Sequence, residues 1–130
     1  MDLETAALVT ALQNGTLRAL SHEDHVRVAW HYATRLSLPE TLLEVPALLQ
    51  AYARAKGRAD DYHETVTFAF LCVIHARVRQ CPEASWERFR SDHADLLDRA
   101  FLERYYPRHV LDSEAARCGF VLPDPREVAP

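Results

Sequence analysis

The segment from Tyr62 to about Arg79 constrains the fold more than any other part of the chain. Read at helical spacing, Val66, Phe68, Ala69, Phe70, Leu71, Val73, Ile74 and Val78 fall on almost every side of it. A helix that is apolar most of the way round is stable only when neighbours cover it on all those sides. The rest of the chain must therefore supply a shell for a central buried helix, with bounds of about 61–79. Asp61 is the expected N-cap, with Glu64 three residues on.

The shell is helical too. No stretch alternates apolar and polar residues with a clean period of two, and no repeat of fixed period occurs. Asp2 can cap a first helix carrying Leu3, Ala6, Ala7, Val9 and Leu12, ended by Gly15. Thr16 to Leu20 then forms a connector, so residues 1–20 make an N-terminal helix and its link. Ser21 with Asp24 approximates a capping box for a second helix running through Val28, Ala29, Trp30, Tyr32 and Ala33. Ser37 and Glu40 repeat the pattern for a third, which carries Leu42, Leu43, Leu48, Leu49, Tyr52 and Ala53 up to Gly57. Pro46 inside it predicts a kink or a break near Val45.

Beyond the central helix, Pro82 to Phe89 reads as a short helix with Trp86 and Phe89 inward. Ala94 to Tyr105 reads as another with Leu96, Leu97, Phe101 and Leu102, ended by Pro107. Ser113 caps a last turn, and Cys118 to Pro123 is an apolar tail that docks in extended form. Residues 124–130 are expected to fray. The expectation is a single all-α domain over 1–130, an irregular bundle of five to seven helices.

At 130 residues, 48% hydrophobic and 26% charged, the chain can bury roughly two thirds of its unfolded surface without disulfides or a structural metal. A metal site in such a chain is functional rather than a staple. The net charge of −4 and pI near 5.9 argue against a nucleic-acid surface. Fourteen of the fifteen basic residues are arginine, since Lys56 is the one lysine, but they are scattered among acids.

Met1 to Glu4 lacks the basic and apolar regions of a signal peptide, and the apolar run from Val66 to Ala76 falls short of the roughly 20 residues a membrane span needs. A cytoplasmic protein without membrane association is expected. Cys72, Cys81 and Cys118 show no C-x-x-C spacing and read as free thiols. The glycine-rich loops of nucleotide sites and the G-x-S-x-G elbow are absent.

What remains as candidate chemistry is the histidine set. At about 100° per residue, His22 and His25 fall inside the apolar stripe of the second helix, while His31 falls on its solvated face. On the central helix His63 shares a side with Thr67, Phe70, Leu71 and Ile74, and His75 lies toward the edge. All three inward histidines stand in first helical turns, where the dipole and partial burial both favour neutral imidazole. Neutral imidazole ligates metals, and a three-histidine set leaves positions open for water or substrate. His22, His25 and His63 are therefore candidate ligands of a divalent transition metal. Zinc is the default, and Fe, Ni, Mn or Cu remain open. Packing and hydrogen bonding of the same rings in the core is the structural alternative.

Glu64 and Glu23 are the nearest carboxylates in sequence to serve as further ligand or general base, and Tyr62 is a candidate proton donor. His109 joins them only if residues 105–108 fold back over the site.

The segments H-E-D-H-V-R-V-A-W from His22 and Y-H-E-T-V-T-F-A-F from Tyr62, with L-E-R-Y-Y-P and F-V-L-P-D further on, resemble a group of small all-helical bacterial proteins. The likeness spans about Leu20 to Asp124. It implies an all-α fold and draws attention to His22, His25 and His63, and it supplies no mechanism.

Three functions follow from these residues. The first is a metal-dependent enzyme acting on a small-molecule substrate. The second is a non-catalytic homodimer paired through Trp86, Phe89, Phe101 and Tyr105. The third is a cofactor-independent acid/base enzyme using His63 with Glu64 or Asp61.

Overall fold

The computed structural model describes residues 2–126, so the fraying expected of 124–130 lies, from residue 127 on, outside the described residues. The described chain forms α1 (Leu3–Asn14), α2 (His22–Ala33), α3 (Leu38–Ala55), α4 (Glu64–Val78), α5 (Trp86–Asp92), α6 (Arg108–Leu111) and α7 (Glu114–Cys118), with no strand. It is the all-α bundle the sequence calls for, at the upper end of the expected helix number.

The caps explain the boundaries. Asp2 accepts from the Thr5 N–H, and Gly15 closes α1 at φ 73°, where a Cβ would be strained. Ser21 with Asp24 and Ser37 with Glu40 both form complete capping boxes. Each satisfies two of the donors that a helix start leaves open.

α4 lies against α2, α3 and α7, which cover the sides its sequence leaves apolar. The main core gathers Trp30, Val45, Leu71, Ile74, Trp86, Phe89, Leu96, Phe101 and Tyr106, all nearly inaccessible. Trp30 and Trp86 meet at 5.7 Å between ring centroids, and the Arg27 guanidinium lies 5.4 Å from the Trp86 ring. A smaller cluster of Val9, Leu12 and Val28 attaches α1 to α2. The burial of Trp86, Phe89 and Phe101 corrects the expectation of an aromatic dimer face: of those four residues only Tyr105 is exposed.

Four boundaries differ from the sequence reading, the first being the short helix expected over Pro82 to Phe89, which instead runs Trp86–Asp92 because Ser85 caps it by accepting from the Arg88 N–H. α3 runs unbroken through Pro46, which is itself buried. The ring deprives the Leu42 carbonyl of its helical donor. Thr41 and Val45, both fully enclosed, hold the turn before it in place.

Asp61 does not cap α4. Its carboxylate is taken by Arg58 Nε at 2.6 Å within the 3-10 turn Ala59–Asp61, and His63 is the N-cap instead. The expected helix from Ala94 to Tyr105 is two 3-10 turns, Ala94–Leu97 and Phe101–Arg104. Asp98 separates them in an extended conformation, its side chain accepting from the Ala100 N–H, the local competition that disfavours aspartate inside helices. Arg77 of α4 grips Asp95 with two hydrogen bonds of 3.1 and 3.0 Å and fixes the first of these turns to the bundle.

The C-terminal tail docks in extended form, as its composition implies. Thr65, fully enclosed on α4, donates to the Gly119 carbonyl at 2.8 Å and accepts from the Val121 N–H at 3.0 Å. Tyr106 donates to the Val121 carbonyl at 2.7 Å, and Phe120 lies against Phe68. At the end of the described chain Arg126 reaches back to Asp124.

Candidate functional site

A cavity of about 490 Å³ lies between α2, α3 and α4. Its walls carry Val26, Ala29, Val45, Leu49, Phe70 and Leu71, and all three candidate histidines line it. The capping box of Ser21 starts α2 so that His22 and His25, three residues apart, share the face turned to α4. His63 reaches the same space from the residue that opens α4. The three rings singled out by the sequence thus line one concavity.

Their hydrogen bonds assign them different work. His63 is committed at both nitrogens: Nδ1 accepts the Val66 N–H at 3.1 Å and Nε2–H donates to the Leu111 carbonyl at 2.7 Å. That pairing defines the Nε2–H tautomer and leaves no lone pair free. His22 donates from Nε2 to the Leu96 carbonyl at 2.9 Å and packs edge-on against Phe70 at 5.3 Å, so only its Nδ1 stays open. Among the described residues, no group of three or more His, Cys, Asp or Glu side chains is arranged to hold a metal ion. The expected three-histidine ligand set is therefore not assembled, because the imidazole of His63 is consumed by its capping role.

His25 differs from both. Neither ring nitrogen has a hydrogen-bond partner among the described residues. The ring is accessible to solvent, yet it stands within the cavity walls. Crowding by protein atoms, helped by His22 and Arg99 nearby and opposed by Asp24, lowers its pKa to about 4. It is neutral at pH 7, as the sequence reading expected, with one nitrogen to accept and one N–H to donate.

The carboxylate candidates sit elsewhere. Glu23 forms an ion pair with Arg90 of α5 at 3.0 Å and is not on the cavity wall, because its position on α2 is about 100° round from His22. Glu64 is also off the wall and accepts the Tyr62 hydroxyl at 2.6 Å. Tyr62 does line the cavity, and burial, reinforced by the bond to Glu64, raises its pKa so that it stays protonated. His109 is exposed on α6, outside the cavity. His31, placed by periodicity on the solvated face, is partly buried beside Tyr32.

Four polar lining residues were not singled out by the sequence: Arg18 in the connector, Tyr52 and Lys56 at the end of α3, and Arg58 in the following loop. Tyr52 donates to the Leu17 carbonyl at 3.0 Å, which brings the connector onto α3. No local pattern marks these positions, because they meet only through tertiary packing.

No helix among the described residues is long and apolar enough to cross a membrane, and Cys72, Cys81 and Cys118 are all free thiols. Compared with known family models, curated proteins and solved structures, the chain matches none of them.

Proposed function

We propose that the protein is a cytoplasmic small-molecule protein that binds an organic ligand in the α2–α3–α4 cavity and acts on it through His25. The observation that carries this reading is the unpartnered His25 ring on the wall of a 490 Å³ cavity. The ring is accessible to solvent and committed to no protein group, so its nitrogens can exchange water for a ligand. A ring left open inside a concavity is available to whatever enters. The volume lies within the range of about 300–1,000 Å³ usual for small-molecule sites, and the mixture of apolar walls with a few polar groups is the usual composition.

At a pKa of about 4 the ring is uncharged throughout the neutral range. It can receive a hydrogen bond from a ligand at one nitrogen and give one from the other. A negative group bound beside it would raise its proton affinity, and in that state it can take a proton from the bound molecule as a general base. Tyr62, held by Glu64, provides a fixed polar edge to the same cavity.

The reading is tested by thermal-shift screening with small acids, amines and neutral molecules. Wild-type protein should be stabilised by some of them. Ala53→Phe, which places a ring in the cavity from α3, should abolish those shifts, and His25→Gln should weaken them. A screen without hits, or hits that persist in Ala53→Phe, would overturn it.

A second reading is a divalent transition metal bound through His22 and His25, with zinc the default. It is supported by their spacing on one helix face and by the open Nδ1 of His22. Elemental analysis of untagged protein and titration with zinc, iron, nickel, manganese and copper decide it. Neither bound metal nor uptake would remove it.

A further inference from the structure

The charge around the cavity is opposite to that of the chain as a whole. The protein carries a net charge of −4, yet Arg18, Lys56 and Arg58 all line this one space, and all three are exposed at its solvent side. The one carboxylate on the wall is Asp61, and Arg58 Nε holds it at 2.6 Å. Arg58 and Asp61 therefore largely cancel. Arg18 and Lys56 do not: neither makes an ion pair with a described residue, and the Lys56 ammonium instead lies 5.5 Å from the centroid of the Tyr52 ring. Arg99, close enough to act on His25, adds to the positive potential there.

Behind this cationic edge the wall turns apolar, with Val45, Leu49, Val66, Phe70 and Leu71. Such a surface rewards burial of a hydrocarbon or aromatic body. It offers no second free charge to match another ionic group, and a buried unmatched charge is strongly disfavoured. Resting on the small-molecule reading above, we infer that the ligand is an amphipathic monoanion. It carries one carboxylate at Arg18 and Lys56 and an apolar body directed inward past His25. A cationic ligand would meet like charge at the mouth. A neutral one would leave the two basic side chains without a role.

Calorimetric titration with decanoate, 1-decanol and decylamine, each below its aggregation concentration, tests the charge with the apolar body held constant. Decanoate should bind at least about tenfold more tightly than decanol, with decylamine weakest. The preference should shrink as salt is raised. In Arg18→Gln/Lys56→Gln, decanoate should fall to the level of decanol, with the fold checked by circular dichroism.

Decanol or decylamine binding as tightly as decanoate would overturn the inference, as would decanoate binding that ignores the double substitution. In those cases, loss of binding in Ala53→Phe would still uphold the cavity reading. If none of the three probes binds while the wider screen yields hits, the carboxylate inference alone falls. If both are silent, both fall.

Discussion

Replacing His63 separates its structural work from any chemical role. Nδ1 caps α4 by accepting the Val66 N–H, and Nε2–H satisfies the Leu111 carbonyl, joining the start of α4 to α6. His63→Ala removes both. Loss of a helix cap costs about 1 kcal/mol. Leaving a partly buried carbonyl unpaired adds roughly 1–3 kcal/mol, so the expected total is about 2–4 kcal/mol. His63→Asn should recover about 1 kcal/mol, because asparagine is a good N-cap but is too short to reach Leu111. Urea denaturation of the three proteins measures these differences. Amide exchange at Val66 should accelerate in the alanine variant and be restored in the asparagine one. An alanine variant within about 0.5 kcal/mol of wild type, a change typical of an uninvolved surface site, would refute the assignment. So would unchanged Val66 exchange.

Two further outcomes follow from the geometry. Thr65→Val keeps the shape of an enclosed side chain but strips the tail of both bonds, to Gly119 and Val121. It should destabilise by about 2–4 kcal/mol and expose the tail to proteolysis after Cys118, whereas Thr65→Ser should keep both bonds and lose only about 1 kcal/mol of packing. For His25, the folded pKa of about 4 lies below the unfolded value of 6.5. The unfolded chain therefore binds more protons between these values, and stability should be intact above pH 6.5 and decline as pH falls toward 4. His25→Gln should flatten that part of the stability–pH curve, and a curve unchanged by the substitution would contradict the lowered pKa. Because the ring is solvent-accessible, the slope will be shallower than that of a fully enclosed histidine.

Where the sequence was explicit, the explicitness was local. Ser21 with Asp24, Ser37 with Glu40, Gly15 and Gly57 mark helix ends through contacts spanning only three or four residues, and such contacts can be read from spacing. Apolar periodicity likewise located α4 and turned His22 and His25 toward it. His63 as a cap was not readable, since an imidazole seldom takes this place and Asp61 offered a more usual one. What displaced Asp61 was its pairing with Arg58. The division of 94–105 depended on Asp98 turning to the Ala100 amide and on Arg77 reaching across from α4. Half of the cavity's character was hidden for the same reason. Arg18 and Lys56 are ordinary surface residues in sequence, and only the approach of the connector to α3, through Tyr52 and Leu17, gives them a common task.

Pro46 also has a mechanical side. Upstream of it α3 is anchored by Thr41 and Val45, and downstream Leu49, Tyr52, Ala53 and Lys56 form one wall of the cavity. The missing hydrogen bond between positions 42 and 46 makes this the most compliant point of the helix. The segment beyond it then behaves as a lever. At 1.5 Å of rise per residue, a tilt of about 5° at Pro46 carries the Ala55 end through roughly 1.2 Å, enough to widen or narrow the mouth around Lys56 without disturbing the anchors at Thr41 and Val45. Exchange broadening confined to amides after residue 46, and quenched in Pro46→Ala, is the signature of such a hinge.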